Sequence, residues 1–283
     1  MRTPLTSPEF RSWQVSDGYE LRGRVWPPAQ TPVPLAVLYV HGIQSHGGWF
    51  EWSASCLASV GLPVLLVDRR GSGLNPAARG DAPAATRWLD DLDELADWAR
   101  RAWQVHSFAV VGVSWGAKPA VAWALRRPEC VTRVLLIAPG LFPAVDVGLF
   151  ARLRIAAALF TGPQRAFPIP LADPALFTDN PAGRAFIADD SLKLTCATAR
   201  FLYESSRLDR QLVRAAPHSL SADTMLVLAG RDRIIRNAPT VAWLQRIAAR
   251  PPTVHHFPAA AHTLEFEPDP APFGELVRQW ARR

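Results

Sequence analysis

The run Phe108-Ala109-Val110-Val111-Gly112-Val113-Ser114-Trp115-Gly116-Ala117-Lys118 reads as an apolar strand that passes through Gly-x-Ser-x-Gly straight into a helix-forming segment. A serine at such a reversal sits on strained backbone with its hydroxyl clear of the sheet, and flanking glycines are needed where a side chain would collide across the bend. Ser114 is therefore a candidate nucleophile. By itself the pentapeptide also fits a glycine-flanked serine in an ordinary strand-to-helix loop, so the rest of the chain must supply its partners.

A hydroxyl attacks well only when a base takes its proton, and that base needs a carboxylate to hold its tautomer. The apolar run Met225–Ala229 reads as a buried strand, and Gly230-Arg231-Asp232 follows at its carboxyl end, making Asp232 the candidate orienting acid. A helical stretch, Thr240–Arg250, precedes the strand Thr253–Phe257. The small-residue loop Pro258-Ala259-Ala260-Ala261-His262 then offers His262 as the base. His255 and His256 lie inside that strand and read as structural, while His106 and His218 fall in polar connections. Another buried strand, Leu35–Val40, ends in His41-Gly42-Ile43. The backbone N–H groups of Ile43 and Trp115 are the candidate oxyanion donors, with Gly42 allowing close approach and His41 shaping the loop.

In order, His41-Gly42, Asp68-Arg69-Arg70-Gly71-Ser72-Gly73, Gly112-Val113-Ser114-Trp115-Gly116, Gly230-Arg231-Asp232 and His262 resemble the monoacylglycerol lipase and lysophospholipase-like (serine aminopeptidase-like) branch of the α/β-hydrolases. The likeness covers nearly the whole chain. It implies a serine esterase or lipase with a helical cap and carries over Ser114, Asp232 and His262 as the triad. Two departures bear on substrate rather than on the triad. Gln44-Ser45-His46 stands where the family has Gly-Glu-His, and Trp115 and Ala117 stand where its elbow commonly has Met and Gly.

The expected fold is α/β: a mostly parallel sheet with helices on both faces. Strands are expected at Leu35–Val40, Val64–Asp68, Phe108–Val113, Val134–Ala138, Met225–Ala229 and Thr253–Phe257, mostly separated by helical patterns such as Arg87–Gln104 and Ala117–Arg127. A hairpin around Asp17-Gly18 should form one edge. The alternation stops after Pro139, which divides the chain into a first core part (1–139), a helical cap (140–223) without convincing strands, and a second core part (224–283). Within the cap, Leu149, Leu153, Ala156, Ala157 and Phe160 fall near one helical face, with Arg152 pointing elsewhere. That face either packs on core or lines an acyl pocket over Ser114. Asp189-Asp190-Ser191 reads as a helix N-terminus. Lys118 is expected to point outward or toward an acid, and only secondarily to act as a base.

At 283 residues and 49% hydrophobic, the chain can bury a large core. Its formal charge of +6 is carried by arginines interleaved with acids, lysine occurring only at 118 and 193, which gives nucleic-acid binding little support. Cys56, Cys130 and Cys196 are odd in number, lack metal-ligand spacing and read as buried thiols of a reducing compartment. The amino terminus lacks an apolar signal core and no run is long enough to span a bilayer, so a cytoplasmic location is expected. No cofactor or metal is called for, and the expected partner is a small acyl ester. Thioesterase, peptidase and acyltransferase chemistry use the same triad and stay open, as does a catalytically silent ligand-binding module.

Overall fold

Runs of β-branched and aliphatic residues with both faces apolar can be stable only inside a sheet covered on both sides. In the computed structural model, which describes residues 2–283, they form one eight-stranded sheet. In chain order the elements are β1 (Glu9–Gln14), β2 (Glu20–Trp26), β3 (Leu35–Val40), α1 (Glu51–Ala58), β4 (Val64–Val67), α2 (Ala85–Trp103), β5 (Ser107–Val113), α3 (Ala117–Arg126), β6 (Val131–Ile137), α4 (Leu149–Thr161), β7 (Ala166–Pro168), α5 (Pro181–Asp189), β8 (Cys196–Thr198), α6 (Ala199–Val213), β9 (Asp223–Ala229), α7 (Asn237–Ile247), β10 (Thr253–Phe257) and α8 (Ala271–Arg282).

The strand order is β1-β2-β4-β3-β5-β6-β9-β10. The β1–β2 hairpin, turned at Gly18 with φ of +80°, forms one edge, and β2 pairs antiparallel with β4. Every other pairing is parallel. All six residues of β3 are buried, as are six of the seven in β5. Chain direction across the sheet reverses at β3 and β5: β3 is followed by β4 on one side, while β5 leads on to β6, β9 and β10 on the other. Loops leaving the carboxyl ends of β3 and β5 therefore border the crevice where open α/β sheets bind ligands.

Beyond β6 the chain leaves the sheet and returns at β9. Residues 140–223 hold α4, α5, α6 and a ribbon in which Ala166, Phe167 and Pro168 pair antiparallel with Thr198, Ala197 and Cys196. No strand is expected here from the sequence, because three-residue strands are too short to show alternation. Ala158, Phe167 and Ala199 make a small separate core between α4 and α6, and Ile155, Leu159 and Leu202 pack against it. Cys56 and Cys130 are buried as expected. Cys196, on this ribbon, is instead exposed.

Candidate active site

Ser114 follows β5 on a tight 3-10 turn with φ of +52°, a left-handed conformation rarely adopted by residues with a Cβ. The flanking glycines are required by contact. A Cβ at Gly116 would stand 2.2 Å from the Val40 carbonyl oxygen, and one at Gly112 would stand 2.6 Å from Ala117 Cα. The Ser114 carbonyl accepts the Gly140 N–H at 2.8 Å, tying the turn to the loop after β6.

The loops after β9 and β10 converge on this serine. Gly230 N–H donates to the Phe257 carbonyl (2.8 Å) and Arg231 N–H to that of Ala260 (2.9 Å), which holds the two loops side by side. Asp232 Oδ1 accepts the amides of Ile234 (2.8 Å) and Ile235 (3.0 Å), and Oδ2 lies 2.8 Å from His262 Nδ1. His262 Nε2 lies 3.0 Å from Ser114 Oγ. Both the Asp232 and His262 side chains are almost fully buried, and Phe177 packs edge-on against the imidazole. The three residues expected from the sequence thus form one hydrogen-bonded chain across a separation of 148 residues.

Gly42 and Ile43 lie beside the serine, a Cβ at Gly42 being placed 3.3 Å from Ser114 Cβ. His41 shapes this loop. It is fully buried; its Nδ1–H donates to the Gly42 carbonyl (2.9 Å), and its Nε2 accepts the Arg69 amide (3.1 Å). Burial, and then the neighbouring Arg69 charge, hold its pKa down at about 3, so the ring is neutral. Arg69 is a site residue that sequence reasoning missed. Its guanidinium donates to the Ile43 carbonyl and stacks 5.0 Å over both the Trp115 and Phe201 rings. The available signal was a second arginine beside Arg70 directly after Asp68.

One motif needs correction. Asp189 and Asp190 end α5 rather than start a helix. Asp190 accepts from Trp49 Nε1 (2.7 Å), with His46 Nε2 at 3.1 Å. Burial works to raise its pKa, but the His46 and Trp49 contacts outweigh it and bring it down to about 2. His46 thereby ties the loop after β3 to the end of α5. Lys118 is buried and meets an acid, Asp209, with Nζ 2.9 Å from Oδ2.

A cavity of about 490 Å³ opens onto Ser114, bounded by the elbow, the Ile43 loop and residues 143–209. Its apolar wall includes Val145, Ile155, Leu159, Leu171, Leu202 and Ile234. The α4 face differs from expectation. Arg152, Ile155, Ala156 and Leu159 line the cavity, whereas Leu149, Leu153 and Phe160 point to solvent, Phe160 being 92% exposed. Because α4 is apolar nearly all round, with only Arg152 and Arg154 charged, its spacing does not single out one stripe. Among the described residues no helix is long and apolar enough to cross a membrane.

Comparison with known proteins agrees with this fold. The chain is 26% identical over 262 residues to a monoacylglycerol lipase of Mycolicibacterium smegmatis, covering 90% of both chains. It is 25% identical over 253 residues to the protein YnbC of Escherichia coli K12, and 27% identical over 225 residues to an abhydrolase domain-containing protein of Dictyostelium discoideum. It spans only 42% and 23% of the lengths of those two relatives. A monoacylglycerol lipase from Paleococcus ferrophilus superposes with a TM-score of 0.79 at 18% identity, covering 92% of this chain and 98% of that one. A soluble variant of the Saccharomyces cerevisiae monoglyceride lipase gives 0.82 at 14% identity, covering 99% and 98%. The α/β-hydrolase fold and the resemblance to the monoacylglycerol lipase branch both hold. With residues 31–269 matching its model, the chain belongs to the hydrolase family described as serine aminopeptidase, S33.

Proposed function

We propose that this hydrolase cleaves carboxylic esters of small acyl substrates through an acyl-enzyme on Ser114. Carrying this reading is the chain of contacts from Asp232 Oδ2 to His262 Nδ1 (2.8 Å) and from His262 Nε2 to Ser114 Oγ (3.0 Å). Neutral His262 takes the Ser114 proton as Oγ attacks the ester carbonyl. Asp232, fixed by the amides of Ile234 and Ile235, stabilises the imidazolium. The N–H groups of Ile43 and Trp115 receive the oxyanion, and His262 returns the proton to the departing alkoxide. Water, deprotonated by the same imidazole, then releases the acid, with no cofactor or metal in the cycle.

The leaving alcohol must lie beside His262, which protonates it. Ser114, Trp115 and an apolar wall that includes Ile155, Leu159 and Leu202 line the 490 Å³ cavity, and we assign it to the acyl chain. Residues 140–223 act as the helical cap of a core built from 1–139 and 224–283, and the protein works in the cytoplasm. Peptidase activity, suggested by the family's description, is less well supported. An aminopeptidase needs an unpaired anion for the substrate ammonium, yet the cavity's acids Asp146 and Asp209 are already paired with Arg152 and Lys118. Thioesterase and acyltransferase chemistry, and silent ligand binding, are the other outcomes that an assay separates.

The test is hydrolysis of p-nitrophenyl esters of increasing chain length together with fluorophosphonate labelling. Ser114→Ala should fold normally, lose at least about a thousandfold in rate and take up no label. A variant that hydrolyses activated esters near the wild-type rate would remove Ser114 from this role.

A further inference from the structure

Arg69 touches both residues whose amides are expected to receive the oxyanion. Its guanidinium donates to the Ile43 carbonyl and lies 5.0 Å from the centre of the Trp115 ring, which stacks in turn on Phe201. Its own amide donates to His41 Nε2 (3.1 Å), and His41 Nδ1–H donates to the Gly42 carbonyl (2.9 Å). A peptide unit is planar, so holding the Gly42 carbonyl also sets the direction of the Ile43 N–H at the other end of that unit. Holding the Ile43 carbonyl fixes the next unit. With both of its peptide planes anchored, Ile43 has neither backbone dihedral free, and both anchors lead to Arg69.

Stability gives no reason for this arrangement. Arg69 is buried, and its Nε and Nη1 find no hydrogen-bond partner among the described residues. Nor does its neighbour Asp68 neutralise it, since that carboxylate faces Arg24 (3.3 Å) and the amides of Gly47 and Leu74. Burial, and then the Arg79 charge, bring the guanidinium's pKa down to about 9, outweighing Asp68. The aromatic faces offset part of this cost, yet an apolar side chain would occupy the same space without it. Such a departure from good packing is expected where a residue serves function.

We propose that Arg69 is a positioning residue of the oxyanion hole, fixing the Ile43 loop against the Trp115 elbow so that the two N–H groups converge on one point before substrate arrives. This rests on the ester-hydrolase reading of Ser114. Donors already in place gain most as charge develops on the carbonyl oxygen, so their ordering acts on the transition state rather than on substrate binding.

The experiment compares the intact wild-type protein with Arg69→Met and Arg69→Lys in three measurements: kcat and KM on p-nitrophenyl butyrate, the thermal midpoint, and inhibition by propyl trifluoromethyl ketone, whose tetrahedral adduct carries the oxyanion. Arg69→Met should lose about ten- to a hundredfold in kcat with KM within about twofold, and should bind the ketone more weakly by a similar factor. Its midpoint should hold or rise. Arg69→Lys keeps the charge but not the planar fork, and should recover only part of the rate. Wild-type kcat and ketone affinity in folded Arg69→Met would overturn the inference, as would a rise in KM alone. Loss of the folded state in both variants would overturn it too, making Arg69 a support of the core. Absence of ester turnover by the wild-type protein would instead defeat the ester-hydrolase reading and this inference with it.

Discussion

The amide of Gly140 donates to the carbonyl of Ser114 at 2.8 Å, and a Cβ placed on Gly140 would come within 3.0 Å of the Trp115 nitrogen. A side chain there would crowd the N–H expected to receive the oxyanion, without touching Ser114 Oγ. We expect Gly140→Val to lower kcat on p-nitrophenyl butyrate by about a hundredfold, the scale of losing one oxyanion donor, with a near-native thermal midpoint. Unchanged kcat in the folded variant would argue against Trp115 N–H as a donor.

Removal of the base and removal of its orienting acid should differ in degree. His262→Ala eliminates proton transfer and should cost nearly as much as loss of Ser114. Asp232→Asn keeps the shape but presents the wrong tautomer, and should be severe yet somewhat milder. Kinetics on one activated ester, with His255→Ala as the control, decide it. Equal loss in His255→Ala and His262→Ala would defeat the assignment.

The two faces of α4 make opposite predictions. Each methylene buried in the acyl cavity should raise kcat/KM roughly fourfold, from about 0.8 kcal/mol per CH₂, until the cavity is filled. Ile155→Asn or Leu159→Asn, on the cavity side, should flatten that climb. Leu153→Asn and Phe160→Asn, on the solvent side, should leave its slope alone. A chain-length series on the four variants would show the reverse if the acyl chain lay elsewhere.

Glu265 links stability to pH. Its carboxyl is buried behind Tyr39 and Ser53, with one oxygen accepting the Ser53 amide (3.2 Å) and the other unpartnered among the described residues. Burial, opposed only by the Ser53 hydrogen bonds, pushes its pKa from an ordinary 4.5 up to about 8. A group whose pKa is raised on folding contributes fully below the unfolded value and loses that contribution as pH rises toward the folded one. Wild type should therefore lose thermal stability relative to Glu265→Gln between about pH 4.5 and 8. Parallel midpoint curves across that window would show that the carboxyl does not titrate there.

Much of the molecule was legible because short-range constraints and sheet burial leave their mark on sequence. β3 and β10 run as expected, the hairpin turns at Asp17-Gly18, and Ser114, Asp232 and His262 stand at strand ends, where a parallel sheet gathers loops. Strand starts were less exact. β6 begins at Val131 and β9 at Asp223, since Thr132, Arg133 and Asp223 are partly exposed at the strand ends and break the apolar run.

The sequence by itself determined the elbow, the chain order of Ser114, Asp232 and His262, and the parallel architecture, because steric necessity at Gly112 and Gly116 and continuous apolar strands admit few other solutions. Tertiary structure alone decided which face of α4 meets the cavity, that Asp190 closes a helix and bonds His46 and Trp49, that Arg69 braces the Ile43 loop, and that Lys118 meets Asp209. Each of these depends on a partner between 26 and 144 residues away, or on which neighbour covers a helix that is apolar all round. Nothing in local spacing records such a choice. It is made when distant segments compete for the same buried surface.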